Sequence, residues 1–307
     1  MEYGNGEKNQ LIWKNMDNKY HNEHFEADEN NINVNVSMLG KYVAKEDIVL
    51  DIGCGEGKFG EVVAQKGCNL FGVDIDQTAC KETEARGKYK KVFCFNIEHP
   101  EQNTGGYEDF KNLNILFDKI ALIDILEHVI NPTAVISNVI RYLKNEGKIL
   151  ISVPNVNNAD IYLNLLRDRF NYQEAGVLDN THTKYFTKRS FIEWIQEINE
   201  SFNFSLDCNY VGSTFGYTAY MDVIKREKPN LFRLVELNPY FHVIQHLFIL
   251  TFRKEKAETP NLDKLLKEPV IDLSDSFEEI LSGKADANDT VLRINMLPNE
   301  RALLEEK

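Results

Sequence analysis

Several signals are missing from this chain of 307 residues, and each absence removes a class of function. No Cys-x-x-Cys pair occurs. The five cysteines, Cys54, Cys68, Cys80, Cys94 and Cys208, are odd in number and scattered, so no zinc site is expected and the thiols read as reduced and mostly buried. No basic cluster interleaved with aromatics offsets the formal charge of -13; a phosphate backbone would be repelled, and nucleic acid is not an expected partner. No apolar run is long enough for a membrane span, the longest late one being His246 to Phe252, and no apolar signal core opens the sequence. A cytoplasmic protein without a membrane span is expected.

What is present is an ordinary globular composition, 43% hydrophobic and 27% charged, in a chain long enough for one large α/β domain with appendages. Residues 1–40 are polar, with Trp13, Tyr20, Phe25 and Met38 as isolated anchors, and read as an N-terminal helical lid. From Asp47 the pattern changes to short β-branched or apolar runs separated by amphipathic stretches, the signature of strands and helices alternating around a parallel sheet. Strands are expected at Ile48–Ile52, Leu70–Ile75, Val92–Ile97, Phe117–Ile123 and Lys148–Val153. Helices are expected at Lys58–Gln65, at Gln77–Arg86, from the Asn131-Pro132 start through Leu143 to a stop at Gly147, and after a Thr187 cap. Phe204–Val211 and His246–Phe252 read as a closing antiparallel pair. The catalytic domain is thus expected over 41–254 with an insert at 154–186 that carries substrate contacts, and 255–307 as a charged C-terminal appendage.

The chemistry concentrates at one turn. Asp51-Ile52-Gly53-Cys54-Gly55-Glu56-Gly57 ends the first strand and leads directly into a helix; glycines here let a backbone approach a ligand closely at positive φ. Asp74, at the end of the second strand, stands where a carboxylate accepts hydrogen bonds from both hydroxyls of an adenosine ribose. A dinucleotide fingerprint would place its third glycine where Lys58 stands, and no Gly-Lys-Ser or Gly-Lys-Thr follows the turn; a pyrophosphate site and a phosphate loop are both disfavoured.

Over about Tyr42 to Lys254 these segments resemble the class I S-adenosylmethionine-dependent methyltransferases. The resemblance implies a Rossmann-like α/β fold: a seven-stranded, mostly parallel sheet with an antiparallel last strand and helices on both faces. It implies S-adenosylmethionine as cofactor, with Asp51, Gly53, Cys54 and Gly55 at the methionine moiety, Asp74 at the ribose and Ile75 against the adenine. Asn96-Ile97 is similar to the family's pair that reads the adenine ring, with Asn in place of the commoner Asp; an amide oxygen still accepts from the exocyclic amine. Asp124, in the run Ala121 to Val129, is similar to the residue that meets the methionine amino group, although an Asp there also serves simply to cap a turn.

Methyl transfer is an in-line displacement in which the protein mainly aligns nucleophile, methyl and sulfur, and a hydroxyl acceptor gains from a nearby base. His128, after the fourth strand, is the first candidate, with a structural role beside it; His182, or Tyr185, is the second. Asp124, Glu127 and His128 lack a clear partner set, so no metal ligands are assigned and a metal requirement is left open. The exit Ser152-Val153-Pro154-Asn155 and the segment Asp179 to Thr187 resemble methyltransferases of surface-polysaccharide and glycan assembly. That implies oxygen methylation of a sugar or glycan-linked hydroxyl, on a small-molecule or glycan substrate. Related cores act on phenols, quinones and amines, and a non-catalytic assembly subunit with the same fold is a third reading. A homo-oligomer is left open.

Overall fold

The structure, a computed structural model, describes residues 34–102, 104–165, 168–215, 226, 240–241 and 243–257. Most of the expected lid and nearly all of the expected appendage lie outside the described residues. Within them the elements run α1 (Val34–Gly40), β1 (Ile48–Ile52), α2 (Lys58–Val63), β2 (Asn69–Asp74), α3 (Gln77–Ala85), β3 (Lys91–Cys94), α4 (Thr104–Lys111), β4 (Phe117–Ile123), α5 (Pro132–Val139), β5 (Leu143–Pro154), α6 (Ala159–Leu165), α7 (Lys188–Ser201), β6 (Ser205–Phe215) and β7 (Val243–Arg253). They build one seven-stranded sheet ordered β3-β2-β1-β4-β5-β7-β6. The first five strands are parallel, and β7 runs antiparallel to both β5 and β6. The expected fold class and the closing antiparallel pair are both observed. No described helix is long and apolar enough to cross a membrane.

The two-residue period of a strand feeds alternate side chains to opposite faces. Leu50, Ile52, Ile120, Leu122, Ile149 and Ile151 enter one core with α4, α5 and α7, supplied by Phe110, Val135, Val139, Phe191 and Ile195 among others. Val49, Ala121, Leu150, Leu247 and Ile249 enter the other, covered by Val36 and Leu39 of α1, Phe59 and Val63 of α2 and Cys80 of α3. Both faces of a parallel sheet are thereby sealed. The strand order reverses between β1 and β4, and ligands of such sheets bind beyond the carboxyl ends of the strands at that point.

Local signals hold where they are short-range. Asn131 caps α5 by accepting from the Ala134 amide at 3.2 Å, and Thr187 caps α7 in a reciprocal box with Ser190. The helix expected from Pro132 to Gly147 is shorter. It ends at Val139, and Leu143 opens β5 by pairing with Phe117, because an apolar side chain at that place fits a sheet neighbour as well as a helix face. β3 ends at Cys94 instead of Ile97, and β2 at Asp74 instead of Ile75. Helix α6 lies inside the insert.

Helix α7 is anchored by Phe191, whose ring stacks on Phe248 of β7 at 4.1 Å between centroids and 15° between planes. Neither ring is exposed. Phe191→Ala is expected to destabilise the fold by about 3–5 kcal/mol through lost transfer energy and a residual cavity, read as a lowered urea midpoint; an unchanged midpoint would show that α7 docks by other contacts.

Candidate active site

The turn after β1 is folded back onto β2. The amides of Gly53 and Cys54 both donate to the Val73 carbonyl, at 2.7 and 3.1 Å, and that of Gly55 donates to Asp74 Oδ2 at 2.8 Å. Gly53 sits at φ 68°, and a Cβ there would lie 2.0 Å from Ile125 Cδ1, so both backbone conformation and space require glycine. Asp74 also accepts the Asp76 amide on Oδ1 at 2.9 Å. Each carboxylate oxygen thus keeps accepting capacity beyond one backbone bond. Ile75, the next residue, is 67% exposed, a bare apolar face at the strand end. Asn96 turns back on itself, its Oδ1 accepting the Glu98 amide at 2.9 Å, while Ile97 is buried in the core below.

Asp51 lies between Leu50 and Ile52, and strand alternation sends it to the face of α1, α2 and α3. It is buried there and accepts a 2.6 Å hydrogen bond from the Tyr89 hydroxyl. Burial raises its carboxyl to about 7, the Tyr89 bond opposes the rise, and the charge of Asp74 adds to it. Cys54 is buried too, and burial with the charges of Asp51 and Asp74 pushes its thiol well up, which keeps it neutral.

Beyond β4, Asp124 takes a left-handed backbone, φ 55°, and its carboxylate gathers three segments. Oδ1 accepts from Ser152 Oγ at 2.5 Å and Gln245 Nε2 at 2.8 Å, and Oδ2 from Asn35 Nδ2 at 2.7 Å. Asn35 of α1 is wholly buried, and its amide also reaches Ser152 Oγ at 3.2 Å. Neither Asn35 nor Gln245 carries a local signal: they stand 89 and 121 residues from Asp124.

The insert closes on the same edge. Thr183 and Lys184 donate their amides to the Glu127 carbonyl at 2.7 and 3.1 Å, which brings His182 against His128 with ring centroids 4.7 Å apart. Thr181 donates its hydroxyl to Asp179 Oδ1 at 2.7 Å, so its oxygen receives the proton of His128 Nδ1 at 3.0 Å. His182 Nδ1 faces the Val177 carbonyl at 3.0 Å, which only accepts. Both rings therefore carry hydrogen on Nδ1 when neutral and present Nε2 as an acceptor. Beyond His182 the rings continue through Tyr185 at 6.4 Å and Phe170 at 6.4 Å to Tyr172 at 5.7 Å, the last two exposed.

Glu127 is 1% exposed, and its Oε2 has no partner among the described residues. Burial, then the charge of Asp124, holds the carboxyl well above the usual range. Donor atoms of Glu127, His128 and His182 all lie within 4.8 Å of one another. His182 supplies the partner that the sequence left missing, and a carboxylate with two imidazoles is a donor set suited to a divalent cation.

The family model described as a methyltransferase domain matches residues 25–200. The ubiquinone biosynthesis O-methyltransferase of Dechloromonas aromatica (strain RCB) is 24% identical over 171 residues, 53% of this chain and 66% of the relative. That of Pseudomonas fluorescens (strain SBW25) is 28% identical over 135 residues, 41% of this chain and 50% of the relative. The chain thus spans half to just under two thirds of the length of these curated relatives. Among solved structures, a SAM dependent methyltransferase from Archaeoglobus fulgidus is similar at 21% identity and a TM-score of 0.48, over 76% of this chain and 98% of that one. S-adenosylmethionine is the cofactor that the family and the glycine turn point to together, and the chain belongs to the methyltransferase-domain family, whose model matches more than half of it.

Proposed function

We propose that the chain is an S-adenosylmethionine-dependent O-methyltransferase whose acceptor is the hydroxyl of a small aromatic, phenol- or quinol-like ring. The observation that carries the reading is the pairing, along one sheet edge, of a glycine turn tied to Asp74 with two histidines that both present Nε2.

The donor side fits the cofactor. Asp74 has accepting capacity for the two ribose hydroxyls, and exposed Ile75 offers an apolar bed for adenine. In this reading Gly53, Cys54 and Gly55 would hold the methionine end, Asn96 and Ile97 would border the adenine, and Asp124 would meet the methionine amino group. When bound, the cofactor supplies an electrophilic methyl on a sulfonium. The chain's own contribution is to align the acceptor and to receive its proton. Asp179 holds Thr181, Thr181 fixes the His128 tautomer, and the Val177 carbonyl fixes that of His182.

Proton arithmetic favours a phenol. A histidine at its ordinary pKa of about 6.5 falls roughly 3.5 units short of a phenol at about 10, near 5 kcal/mol, and burial together with the nearby His182 holds His128 below that ordinary value, which widens the gap for any hydroxyl alike. Against an aliphatic hydroxyl comparable to water at about 15.7, the gap is about 9 units, roughly 12 kcal/mol. The ring series Tyr185, Phe170 and Tyr172 suits a flat acceptor, and the relatives named for ubiquinone biosynthesis support the same class. A sugar or glycan-linked hydroxyl, expected from the Asp179 to Thr187 segment, draws no such support. A second reading of the histidines follows from the partnerless Glu127 oxygen: a divalent cation held by Glu127, His128 and His182.

Four measurements test this reading. Asp74→Ala weakens S-adenosylhomocysteine binding by about 1.5–3 kcal/mol in calorimetry, the worth of hydrogen bonds to a charged acceptor; unchanged affinity removes Asp74 from the site. His128→Ala or His182→Ala lowers turnover on the order of 10²- to 10⁴-fold with donor affinity retained, and full turnover in both leaves the acceptor without a base. EDTA has no effect if the histidines act as bases, whereas loss restored by zinc or magnesium favours the cation. Labelled methyl transfer across phenols, sugars and amines is expected to mark the phenols, and transfer to a sugar alone would overturn the acceptor class.

A further inference from the structure

Tyr89, in the loop between α3 and β3, is 6% exposed and occupies a slot that three glycines clear. A Cβ on Gly60 would lie 2.4 Å from its Cε2, one on Gly72 3.1 Å from its Cδ1 and one on Gly57 3.4 Å from its Cε2. The ring touches the end of the donor turn, the first turn of α2 and the middle of β2 at once. Its hydroxyl then does two things. It accepts from the Gly60 amide at 3.1 Å and donates to Asp51 Oδ2 at 2.6 Å.

Gly57, at the cap position before Lys58, has no side chain with which to cap helix α2, and the Gly60 amide belongs to the first turn whose donors a cap would satisfy. Tyr89 supplies that acceptor from a distant part of the chain. Asp51, at the other end of the turn, is buried on the face of the sheet that carries the apolar cluster of Val49, Phe59 and Val63. One phenol oxygen thus links strand β1, ahead of the turn, to the helix after it. Thr83 adds a bond from its hydroxyl to the Gly55 carbonyl within the bracket.

We infer that Tyr89 is a positioning residue for the methyl donor: the relay Gly60 N–H to Tyr89 O–H to Asp51 sets the spacing of β1 and α2 and so the shape of the Gly53–Gly57 turn. This rests on the donor reading given above. Tyr89 acts through the turn and not on the ligand. The groups that face Asp51 are Tyr89, Asp74 and Cys54. With the Asp51 carboxyl at about 7 and the phenol bond opposing the rise, removal of the hydroxyl moves that titration to higher pH. The sign follows from linkage: between the unfolded value of 3.8 and about 7 the folded chain keeps a proton that the unfolded chain has released, so the Asp51 contribution to stability falls as pH rises through that window.

The test is calorimetric binding of S-adenosylhomocysteine to the full chain from pH 5.5 to 8.5, with wild type, Tyr89→Phe, Gly60→Ala and Asp51→Asn, beside urea unfolding of each. Tyr89→Phe keeps the ring that fills the slot. It is expected to bind roughly three- to tenfold more weakly, the scale of one hydrogen bond acting indirectly, with its pH-dependent step displaced upward. Gly60→Ala displaces the ring and is expected to weaken binding as well, while Asp51→Asn abolishes the step. Equal affinity and an unshifted profile in Tyr89→Phe, with wild type binding normally, would overturn the inference alone, even if unfolding showed lost stability. Absence of binding by wild type at every pH would overturn the donor reading and this inference with it. Should Tyr89→Phe not fold, normal affinity in Gly60→Ala would overturn the inference instead.

Discussion

One backbone carbonyl, that of Val73, receives two successive amides, Gly53 and Cys54, and the rest of the site depends on that pair of hydrogen bonds. It forces the chain leaving β1 to fold over the end of β2, which Gly53 permits at φ 68°. The Gly55 amide is thereby delivered to Asp74, and Ile125 of the loop after β4 is brought to van der Waals contact above Gly53. Three strand ends are locked to one another before any ligand arrives. Preorganisation of this kind suits methyl transfer, where alignment supplies most of the rate.

The same edge is closed from the other side by chain that is remote in sequence. Asn35 from α1, Ser152 from β5 and Gln245 from β7 converge on Asp124, so that the left-handed residue after β4 is held by three donors. Backbone strain at a non-glycine residue persists where the surroundings over-determine it, and these donors do so here. From that fixed corner the loop runs to Glu127 and His128, where the insert clips on through Thr183 and Lys184. Donor turn and paired histidines are therefore parts of one edge, and the tautomers of both histidines follow from the oxygens they face, the Val177 carbonyl and a Thr181 hydroxyl whose own proton goes to Asp179.

Much of this was legible in the sequence where the signal was local. Gly53, Gly55 and Asp74 stand at spacings dictated by one β-turn-α-β unit; Asn131-Pro132 and Thr187 announce their helices because a cap acts over three residues; the order of apolar runs prescribes the sheet. The partners that make the site work were not legible. Tyr89 is 38 residues from Asp51 and looks like any loop tyrosine; Asn35 and Gln245 sit in stretches with no motif. Asp51 reads as a ligand-facing acid, yet the strand period turns it into the core. Leu143 fits both a helix face and a strand, and only the pairing with Phe117 decides between them. His182 became the neighbour of His128 through folding of the insert, which no spacing predicts.

A crystal structure with S-adenosylhomocysteine tests the central claim most directly. The account predicts the nucleoside lying across the ends of β1, β2 and β4, its ribose on the Asp74 carboxylate, its purine on Ile75 and its sulfur toward the His128 and His182 Nε2 atoms. A ligand seated elsewhere on the chain, or a pyrophosphate-bearing molecule in that crevice instead, would contradict it.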